Sequence, residues 1–237
     1  KLVELGVETI EITDELFLLN RNYYVPLCEM LRDRGYGKKL RLWAYSRIDT
    51  IRRPELLKLV REAGIKWLAL GIESADRTVR LEVSKGKFQD VDIKKVIKQV
   101  HEADIEVMAN YIFGLTGDTK ETIQATLDLS KELCTLGWNT YPAMALPGSQ
   151  LYKNSVDNNV ELPETYEGYS FHSYDTLPLP TKHLTAAEIL KFRDEAFITY
   201  HSHPPFLERV KEKFGKVAVD NINDMIKVKL KRKILGD

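Results

Sequence analysis

The apolar residues of positions 1–150 follow two kinds of pattern that alternate along the chain. Short runs that are β-branched or apolar throughout predict strands, and longer stretches with apolar residues three and four positions apart predict helices. The predicted strands are 7–13, 40–45, 66–72, 105–113 and 138–146. The predicted helices are 23–34, 54–63, 91–103 and 119–136, with Gly35, Gly64 and Gly137 at three of their ends. Strand–helix repeats of about 30 residues predict an α/β fold with a parallel sheet.

The pattern changes near residue 155. Residues 156–182 show no periodicity and predict a loop or linker, whereas residues 185–201 predict an amphipathic helix that begins with a capping box of Thr185 and Glu188. Residues 206–214 and 217–235 predict two further helices, and the basic residues of the last one, including Arg232, predict a solvated helix face. We therefore expect a core at 1–155 and a loop with a C-terminal helical extension at 156–237.

The third predicted strand ends in a pattern that indicates a functional site. Residues 67–72 (WLALGI) are apolar or glycine, which suits a strand covered on both faces, and Glu73 and Ser74 follow at once. An acid and a hydroxyl buried there without partners would be costly. In α/β sheets and barrels, ligands bind at the carboxyl ends of the strands. Glu73 and Ser74 are therefore the first candidate site residues.

The other strand ends carry similar chemistry: carboxylates, hydroxyls, one guanidinium and two turns with glycine. These are Asp14–Glu15, Ser46–Arg47, Gly114 and Pro147–Gly148. If the strands are parallel neighbours, all of them lie on one rim. Carboxylates bind ammonium groups or sugar hydroxyls, Arg forks onto a carboxylate, and glycine lets the backbone approach a flat ring. This set suits a zwitterionic ligand that carries a ribose and a base.

Three of these residues also have ordinary structural interpretations. Glu15 suits the start of a helix, where the dipole favours an acid. Arg47 can form a surface ion pair with Asp49, an interaction that contributes little. Gly114 can belong to a plain turn before a helix capped by Asp118 or Thr119.

The composition narrows the class of protein. Lys plus Arg and Asp plus Glu each number 35, so the net charge is zero and gives no argument for a nucleic-acid partner. The apolar runs are short for a membrane span. A cytoplasmic location is the default for a chain whose two cysteines indicate no disulfide framework. The two cysteines, Cys28 and Cys134, form no CxxC pair and are interpreted as small buried residues.

Motifs at the strand ends, in their order and spacing, resemble the radical S-adenosylmethionine (SAM) superfamily, in particular its cobalamin-associated branch. The segments that carry the resemblance are EITDELF (11–17), WAYSRID (43–49), GIES (71–74), KG (85–86), YIFGLTGDT (111–119) and ALPGSQLY (145–152), with LTAAE (184–188) and FRDEAF (192–197) in the C-terminal region. The resemblance implies a partial (β/α)6 TIM-like barrel, of which strands two to six are present.

The resemblance also implies how SAM is bound. Asp14 and Glu15 are expected to bind its ammonium group, and Glu73 and Ser74 to face its ribose or methionyl end. Ser46 and Arg47 are expected to take its carboxylate, with Lys85 as another option. The residues expected to flank adenine are Tyr111, Ile112, Gly114 and Leu146.

The chain departs from the family pattern in one respect that matters. The C-x3-C-x2-C motif, whose thiolates hold a 4Fe-4S cluster in the family, does not occur in the 237 residues. Because the chain begins without Met, we expect an N-terminally truncated fragment whose cluster cysteines lie upstream of Lys1, and which is inactive alone. Thr116 and Asp118 stand where the family usually has Pro and Glu.

The resemblance implies an iron-sulfur enzyme, of oxidoreductase or methyltransferase type, that makes a 5′-deoxyadenosyl radical or supports cobalamin-dependent methyl transfer. Ferredoxin or flavodoxin is an expected reductant, and cobalamin is a possible second cofactor bound by a further domain. Two alternatives stay open: a cluster-free (β/α) barrel enzyme that uses Glu73 and Lys85 in acid/base or Schiff-base chemistry, and a scaffold module without catalysis.

Overall fold

The computed structural model describes residues 1–51, 53–82 and 90–237. Its strands form one sheet with neighbours in chain order, and β1 pairs in parallel with β2, as does β2 with β3. The strands are β1 (Thr9–Ile12), β2 (Arg41–Arg47), β3 (Ile65–Glu73), β4 (Glu106–Phe113) and β5 (Gly137–Pro142). All five predicted strands are present. The last is shorter than predicted and ends at Pro142, a residue with no N–H to donate to a strand ladder.

Nine α-helices occur among the described residues. They are α1 (Arg21–Asp33), α2 (Leu57–Glu62), α3 (Arg77–Glu82), α4 (Ile93–Glu102), α5 (Lys120–Leu133), α6 (Gln150–Asp157), α7 (Ala186–His201), α8 (Pro204–Phe214) and α9 (Lys216–Met225). The sequence did not predict α3 and α6, which are short. The capping box of Thr185 and Glu188 at the start of α7 is confirmed.

The prediction that α5 runs to residue 136 with Gly137 as its cap is wrong. The helix ends at Leu133, and Cys134 takes the left-handed conformation (φ 48°) that closes it. Gly137 is instead the first residue of β5, where a Cβ atom would lie 2.7 Å from Sδ of Met108. Glycine is needed at this position for close packing between strands.

The prediction of a helix over 217–235 is also wrong beyond Met225. After α9 the backbone continues without α-helix, and a 3-10 turn covers Lys233–Leu235. The predicted solvated face does not include Arg232, whose side chain is fully buried. Its contacts are described below.

The chain divides into two compact units. The first comprises the described residues of Lys1–Ile72, Lys87–Asn110 and Thr135–Asn139, and the second those of Glu73–Gly86, Tyr111–Cys134 and Thr140–Asp237. Three strands continue from the first unit into the second, so the units do not correspond to the predicted regions 1–155 and 156–237, which are continuous in sequence. The division into a core and a C-terminal extension remains a prediction.

Each unit has its own apolar core. In the first, alternate residues of β2 (Leu42 and Ala44) and most of β3 are buried, together with the apolar residues of α1, α2 and α4. In the second, Phe113 of β4 packs edge-on against Phe192 of α7 at 5.0 Å between ring centroids. Within the described part of the chain, no helix has the length and apolar content to cross a bilayer.

Candidate functional site

The acidic pair after β1 lies on a loop that the first unit anchors by its backbone. Phe17 is almost fully buried, and its N–H donates to the carbonyl of Tyr45 in β2 at 2.9 Å. Asp14 is half-buried and accepts a hydrogen bond from the Tyr23 hydroxyl at 3.4 Å, and its charge raises the pKa of Tyr23. Glu15 is exposed. The loop thus holds one carboxylate in a fixed setting and leaves the other in solvent.

Ser46, at the end of β2, is engaged inside the first unit. Its hydroxyl oxygen accepts a hydrogen bond from the N–H of Leu18 at 3.3 Å and bonds the Thr50 hydroxyl at 2.7 Å. Thr50 donates in turn to the carbonyl of Arg47 at 2.6 Å. Since Ser46 is also buried, its hydroxyl connects the loop after β1 to the end of β2. Its expected contact with the ligand carboxylate stays a prediction.

Arg47 forms the ion pair that its ordinary interpretation anticipated, but not at the surface. Its Nε and Nη2 atoms donate to the two carboxylate oxygens of Asp49 at 2.5 and 2.9 Å. The side chain of Asp49 is fully buried. This bidentate arrangement fixes the plane of the guanidinium, which is the geometry that favours recognition of a second carboxylate.

In the second unit, Glu73 ends β3 in a conformation that few residues other than glycine adopt. Its φ is +69°, in the left-handed region. Holding a residue with a Cβ there costs on the order of 1–3 kcal/mol, and such residues cluster at functional sites. The side chain is half-buried. The strand end that the sequence indicated is therefore also one of the four described non-glycine positions with a positive φ, the others being Asp104, Cys134 and Asn159.

Ser74 builds the turn that follows. It is fully buried, and its hydroxyl lies 3.3 Å from that of Thr126 and accepts the N–H of Asp76 at 3.2 Å. Its carbonyl accepts from the guanidinium of Arg80 at 2.9 Å. Ser74 thus holds the backbone on the C-terminal side of Glu73, and its predicted contact with SAM remains untested.

At the end of β4, side chains alternate between two faces. Tyr111 is fully buried, and burial raises the pKa of its hydroxyl well above the usual range. Ile112 points to the opposite, half-buried face. Gly114 then has φ +87°, and a Cβ atom on it would lie 2.8 Å from Cδ1 of Ile189 in α7. Close approach and backbone angle both require glycine here.

Asp118 organises this turn; the sequence suggested it only as a possible helix cap and as a variant of the family pattern. It is buried, and one carboxylate oxygen accepts the N–H groups of Gly114 and Leu115 at 3.0 and 2.9 Å. The other accepts the Thr122 hydroxyl at 2.6 Å. Burial raises the pKa of Asp118, and these hydrogen bonds oppose that shift. Thr119, not Asp118, caps α5. The signal in the sequence was an acid four residues after a glycine.

Leu146 and Lys85 are the two remaining predicted site residues. Leu146 follows β5 in the second unit and is 54% exposed, beside a turn at Gly148 (φ +87°). Lys85 lies outside the described residues. The structure thus groups the candidates by unit: Asp14, Glu15, Ser46 and Arg47 at the ends of the paired strands β1 and β2 in the first, and Glu73, Ser74, Tyr111, Ile112, Gly114 and Leu146 in the second.

The cysteines of this chain are unsuited to metal binding. Cys28 is fully buried in α1, and burial raises its pKa to about 12, which keeps the thiol protonated. Burial also raises the pKa of Cys134. The described residues contain no group of three or more metal-binding side chains in suitable proximity. The side chains of the described residues therefore do not fit an iron-sulfur cluster.

Comparison with known families decides the identity of the fold. A sequence model of the Radical SAM superfamily matches residues 1–130, more than half of the chain. The chain belongs to the Radical SAM superfamily. The resemblance inferred from the strand-end motifs is confirmed.

This radical SAM chain matches longer curated proteins. It is 26% identical to an uncharacterized methyltransferase of Pyrococcus horikoshii over 228 aligned residues. The alignment covers 95% of this chain and 48% of that protein. It is 31% identical to the anaerobic magnesium-protoporphyrin IX monomethyl ester cyclase of Cereibacter sphaeroides over 196 aligned residues. That alignment covers 80% of this chain and 30% of the cyclase. The chain therefore spans half or less of the length of these relatives.

A solved structure shares the fold. This structure is the radical S-adenosylmethionine methyltransferase TsrM from Kitasatospora setae with cobalamin and a [4Fe-4S] cluster bound. The superposition covers 70% of this chain and 33% of the TsrM chain, with a TM-score of 0.60 and 20% sequence identity. At that identity the likeness concerns the fold alone, and it confirms the predicted partial-barrel α/β class.

Proposed function

We propose that this chain is the SAM-binding core of a radical SAM enzyme, in which the carboxyl ends of the strands hold the cofactor. Within the full-length protein, SAM together with a 4Fe-4S cluster would supply either a 5′-deoxyadenosyl radical or, with cobalamin, a methyl group. The contribution of this chain is to bind and orient SAM. A reductant such as ferredoxin or flavodoxin, and a cytoplasmic location, belong to the same proposal.

The observation that carries the proposal is the left-handed conformation of Glu73. A strained, half-buried carboxylate at a strand end needs a compensating role, and binding a ligand that carries hydroxyls or an ammonium group is such a role. Two further features support it: the guanidinium of Arg47, oriented by Asp49, and the Gly114 turn, held by Asp118. Each offers one kind of group that SAM requires.

The iron-sulfur cluster stands apart from these residues. Neither Cys28 nor Cys134 fits as a ligand, so no step of the proposal passes through a cluster held by the described side chains. The choice between radical formation and methyl transfer rests on the relatives, which include proteins named as a methyltransferase and as a cyclase. We therefore propose both reaction types and leave the substrate to the experiment.

A first experiment measures SAM binding to the full-length protein by calorimetry. Glu73→Gln retains the shape of the side chain and removes its charge, and we expect a loss of affinity of about ten- to hundredfold, as for a lost charge-assisted hydrogen bond. Glu208→Gln, an exposed residue of α8, is the matched control and should bind as the parent protein does. Equal affinity of the parent protein and Glu73→Gln would contradict the role of Glu73.

A second pair of variants separates strain from binding. Glu73→Gly removes both the carboxylate and the penalty on φ, whereas Glu73→Ala removes only the carboxylate. We expect the glycine variant to be more stable than the alanine variant by about 1 kcal/mol, while both lose SAM affinity.

The reaction itself is tested on full-length protein purified without oxygen and reconstituted with iron and sulfide. We expect bound iron and, after addition of SAM and a reductant, 5′-deoxyadenosine or a methylated product. A protein that binds neither iron nor SAM would instead favour a cluster-free barrel enzyme or a scaffold.

A further inference from the structure

A cavity of about 590 Å³ lies between the outer face of α7 and the segment that follows α9, within the second unit. Ile189 of α7 lies beside the Gly114 turn and marks the inner face of the helix. Lys191, Asp194 and Ile198 line the cavity, and their spacing of three and four residues places them together on the opposite face. The volume is typical of a small-molecule site. The cavity therefore lies on the side of α7 that is turned away from the Gly114 turn.

The walls of the cavity are mainly aliphatic. Ile198 lies on the helix side, and the segment after α9 supplies Met225, Val228, Leu230 and Leu235. Each of these five side chains is between 36% and 69% exposed. Exposed apolar side chains grouped in this way mark surfaces that bind another molecule. Branched and thioether side chains pack around an aliphatic chain, and they offer no ring face on which a flat ring can stack.

A buried guanidinium lines the same cavity. Arg193 is 5% exposed, its Nε donates to the carbonyl of Thr140 at 3.2 Å, and its Nη1 donates to Asp194 at 2.9 Å. The rings of Phe171 and Phe197 lie 5.0 and 5.5 Å from the guanidinium carbon. Among the described residues, Nη2 of Arg193 has no hydrogen-bond acceptor. Because a buried cationic donor without a partner is costly, this nitrogen favours an anion in the cavity.

Two guanidinium groups share one carboxylate beside the cavity. Asp194 accepts hydrogen bonds from Nη1 of Arg193 and from Nε and Nη2 of Arg232. Both arginines are buried. Asp237, which also lines the cavity, accepts the backbone N–H of Arg232 at 3.0 Å. Two cations and one anion leave the cluster of Arg193, Asp194 and Arg232 with a net positive charge, which attracts a further anion.

The lysines that line the cavity favour the same kind of ligand. Nζ of Lys191 lies 4.0 Å from the carboxylate of Glu195, so that acid is already paired. Within the described part of the chain, Lys229 lines the cavity and forms no ion pair. The cationic groups that remain for a ligand are therefore Lys229 and Nη2 of Arg193.

We propose that this cavity binds an aliphatic carboxylate with a single chain, a ligand of the fatty-acid class. The carboxylate accepts hydrogen bonds from Nη2 of Arg193 with Lys229 beside it, and the chain lies between Ile198 and the aliphatic side chains after α9. The planar carboxylate matches the geometry of a guanidinium donor. The site shares no residue with the proposed SAM site, so the two proposals are tested independently.

The test measures binding of decanoate to the full-length protein by isothermal titration calorimetry, with one decanoate expected per chain. Arg193→Gln should weaken binding by about ten- to hundredfold, as for a lost charge-assisted hydrogen bond. The parent protein should bind decan-1-ol, which has the same chain and no charge, more weakly than decanoate by a similar factor. Hexanoate should bind about a hundredfold more weakly than decanoate, because four methylene groups are missing.

Exposed positions test the cavity without disturbing the structural contacts of Arg193. Val228→Asp places a charge among the aliphatic walls and should weaken decanoate binding at least about tenfold. Val217→Asp is the matched control, because Val217 is similarly exposed in α9 and does not line the cavity. Lys229→Gln should weaken binding about two- to fivefold, whereas Lys231→Gln, outside the cavity lining, should leave it unchanged. The unfolding midpoint of each variant is measured to verify that it is folded.

Two results would overturn the proposal directly: equal affinity of the parent protein and Val228→Asp for decanoate, and binding of decan-1-ol as tight as that of decanoate. Sedimentation of the parent protein tests a different occupant of the same face. A dimer that Val228→Asp dissociates and decanoate does not would assign the face to a second copy of the chain, and it would refute the fatty-acid site.

Discussion

Replacing Gly114 by alanine tests how tightly the turn after β4 is built against α7. The structure identifies two separate penalties. The backbone has φ +87°, and the new Cβ atom would lie 2.8 Å from Cδ1 and 2.9 Å from Cγ2 of Ile189. Ile189 is fully buried, so its side chain has little room to turn away. The Cγ2 atom is attached directly to Cβ of Ile189, so it moves only by a change of the χ1 rotamer or together with the helix.

The size of each penalty follows from these contacts. A residue with a Cβ in the left-handed region costs about 1 kcal/mol, and an extra methyl group in a packed core costs about 1–3 kcal/mol. Gly114→Ala should therefore lower the free energy of unfolding by about 2–4 kcal/mol. Ile189→Ala alone should cost about 2–5 kcal/mol, because it leaves a cavity.

The double variant separates the two penalties, because the alanine methyl at position 114 then enters the space that Ile189 left. Urea unfolding of the parent protein, both single variants and the double variant should give a coupling energy of about 1–3 kcal/mol, with only the φ penalty left for Gly114→Ala. Additive effects would refute the reasoning, since they would mean that the Gly114–Ile189 contact has no energetic consequence. We also expect weaker SAM binding by Gly114→Ala, because the turn must shift.

Three further predictions concern buried groups. Arg232→Met should lower the free energy of unfolding, measured by urea titration, by about 3 kcal/mol, because it leaves Asp194 without its bidentate partner. The control is Lys231→Met at the neighbouring exposed position, which should change the free energy of unfolding by less than about 0.5 kcal/mol. Burial lowers the pKa of His201, so near neutral pH the folded protein binds fewer protons than the unfolded chain. Its stability should therefore fall as the pH decreases below about 6.5. In thermal melts over a series of pH values, His201→Asn should reduce this dependence of stability on pH. Cys28, with its pKa raised to about 12, should stay unreacted with a thiol reagent at neutral pH until the protein unfolds; labelling in the native state followed by mass spectrometry would contradict its burial.

The strands and most helices were predictable because their signals are local. Apolar periodicity located all five strands, and the capping box of Thr185 and Glu188 located the start of α7. The strand-end residues were predictable because carboxyl ends of parallel strands share an edge, a rule of topology that needs no coordinates. What the sequence did not contain was the conformation of Glu73, which depends on the turn that Ser74 and its partners build.

Arg232 shows why the C-terminal region was harder to predict. Its sequence neighbours are basic, and a run of basic residues ordinarily indicates a solvated face. In the structure, Nε and Nη2 of Arg232 donate to the two carboxylate oxygens of Asp194 at 2.8 and 2.9 Å. The remaining donors reach the carbonyls of Phe171 and Ser173 and the hydroxyl of Thr176. These partners lie 38 to 61 residues away along the chain.

A buried guanidinium is stable only when nearly all of its donors are satisfied. That condition is met by the three-dimensional arrangement of α7 and the segment before it, and no local pattern encodes it. With Arg232 bound to these partners, residues 226–235 do not continue α9, and a 3-10 turn covers Lys233–Leu235. The substitution that tests the ion pair, Arg232→Met, therefore also tests whether this pair keeps the last residues of the chain out of the helix predicted from the sequence.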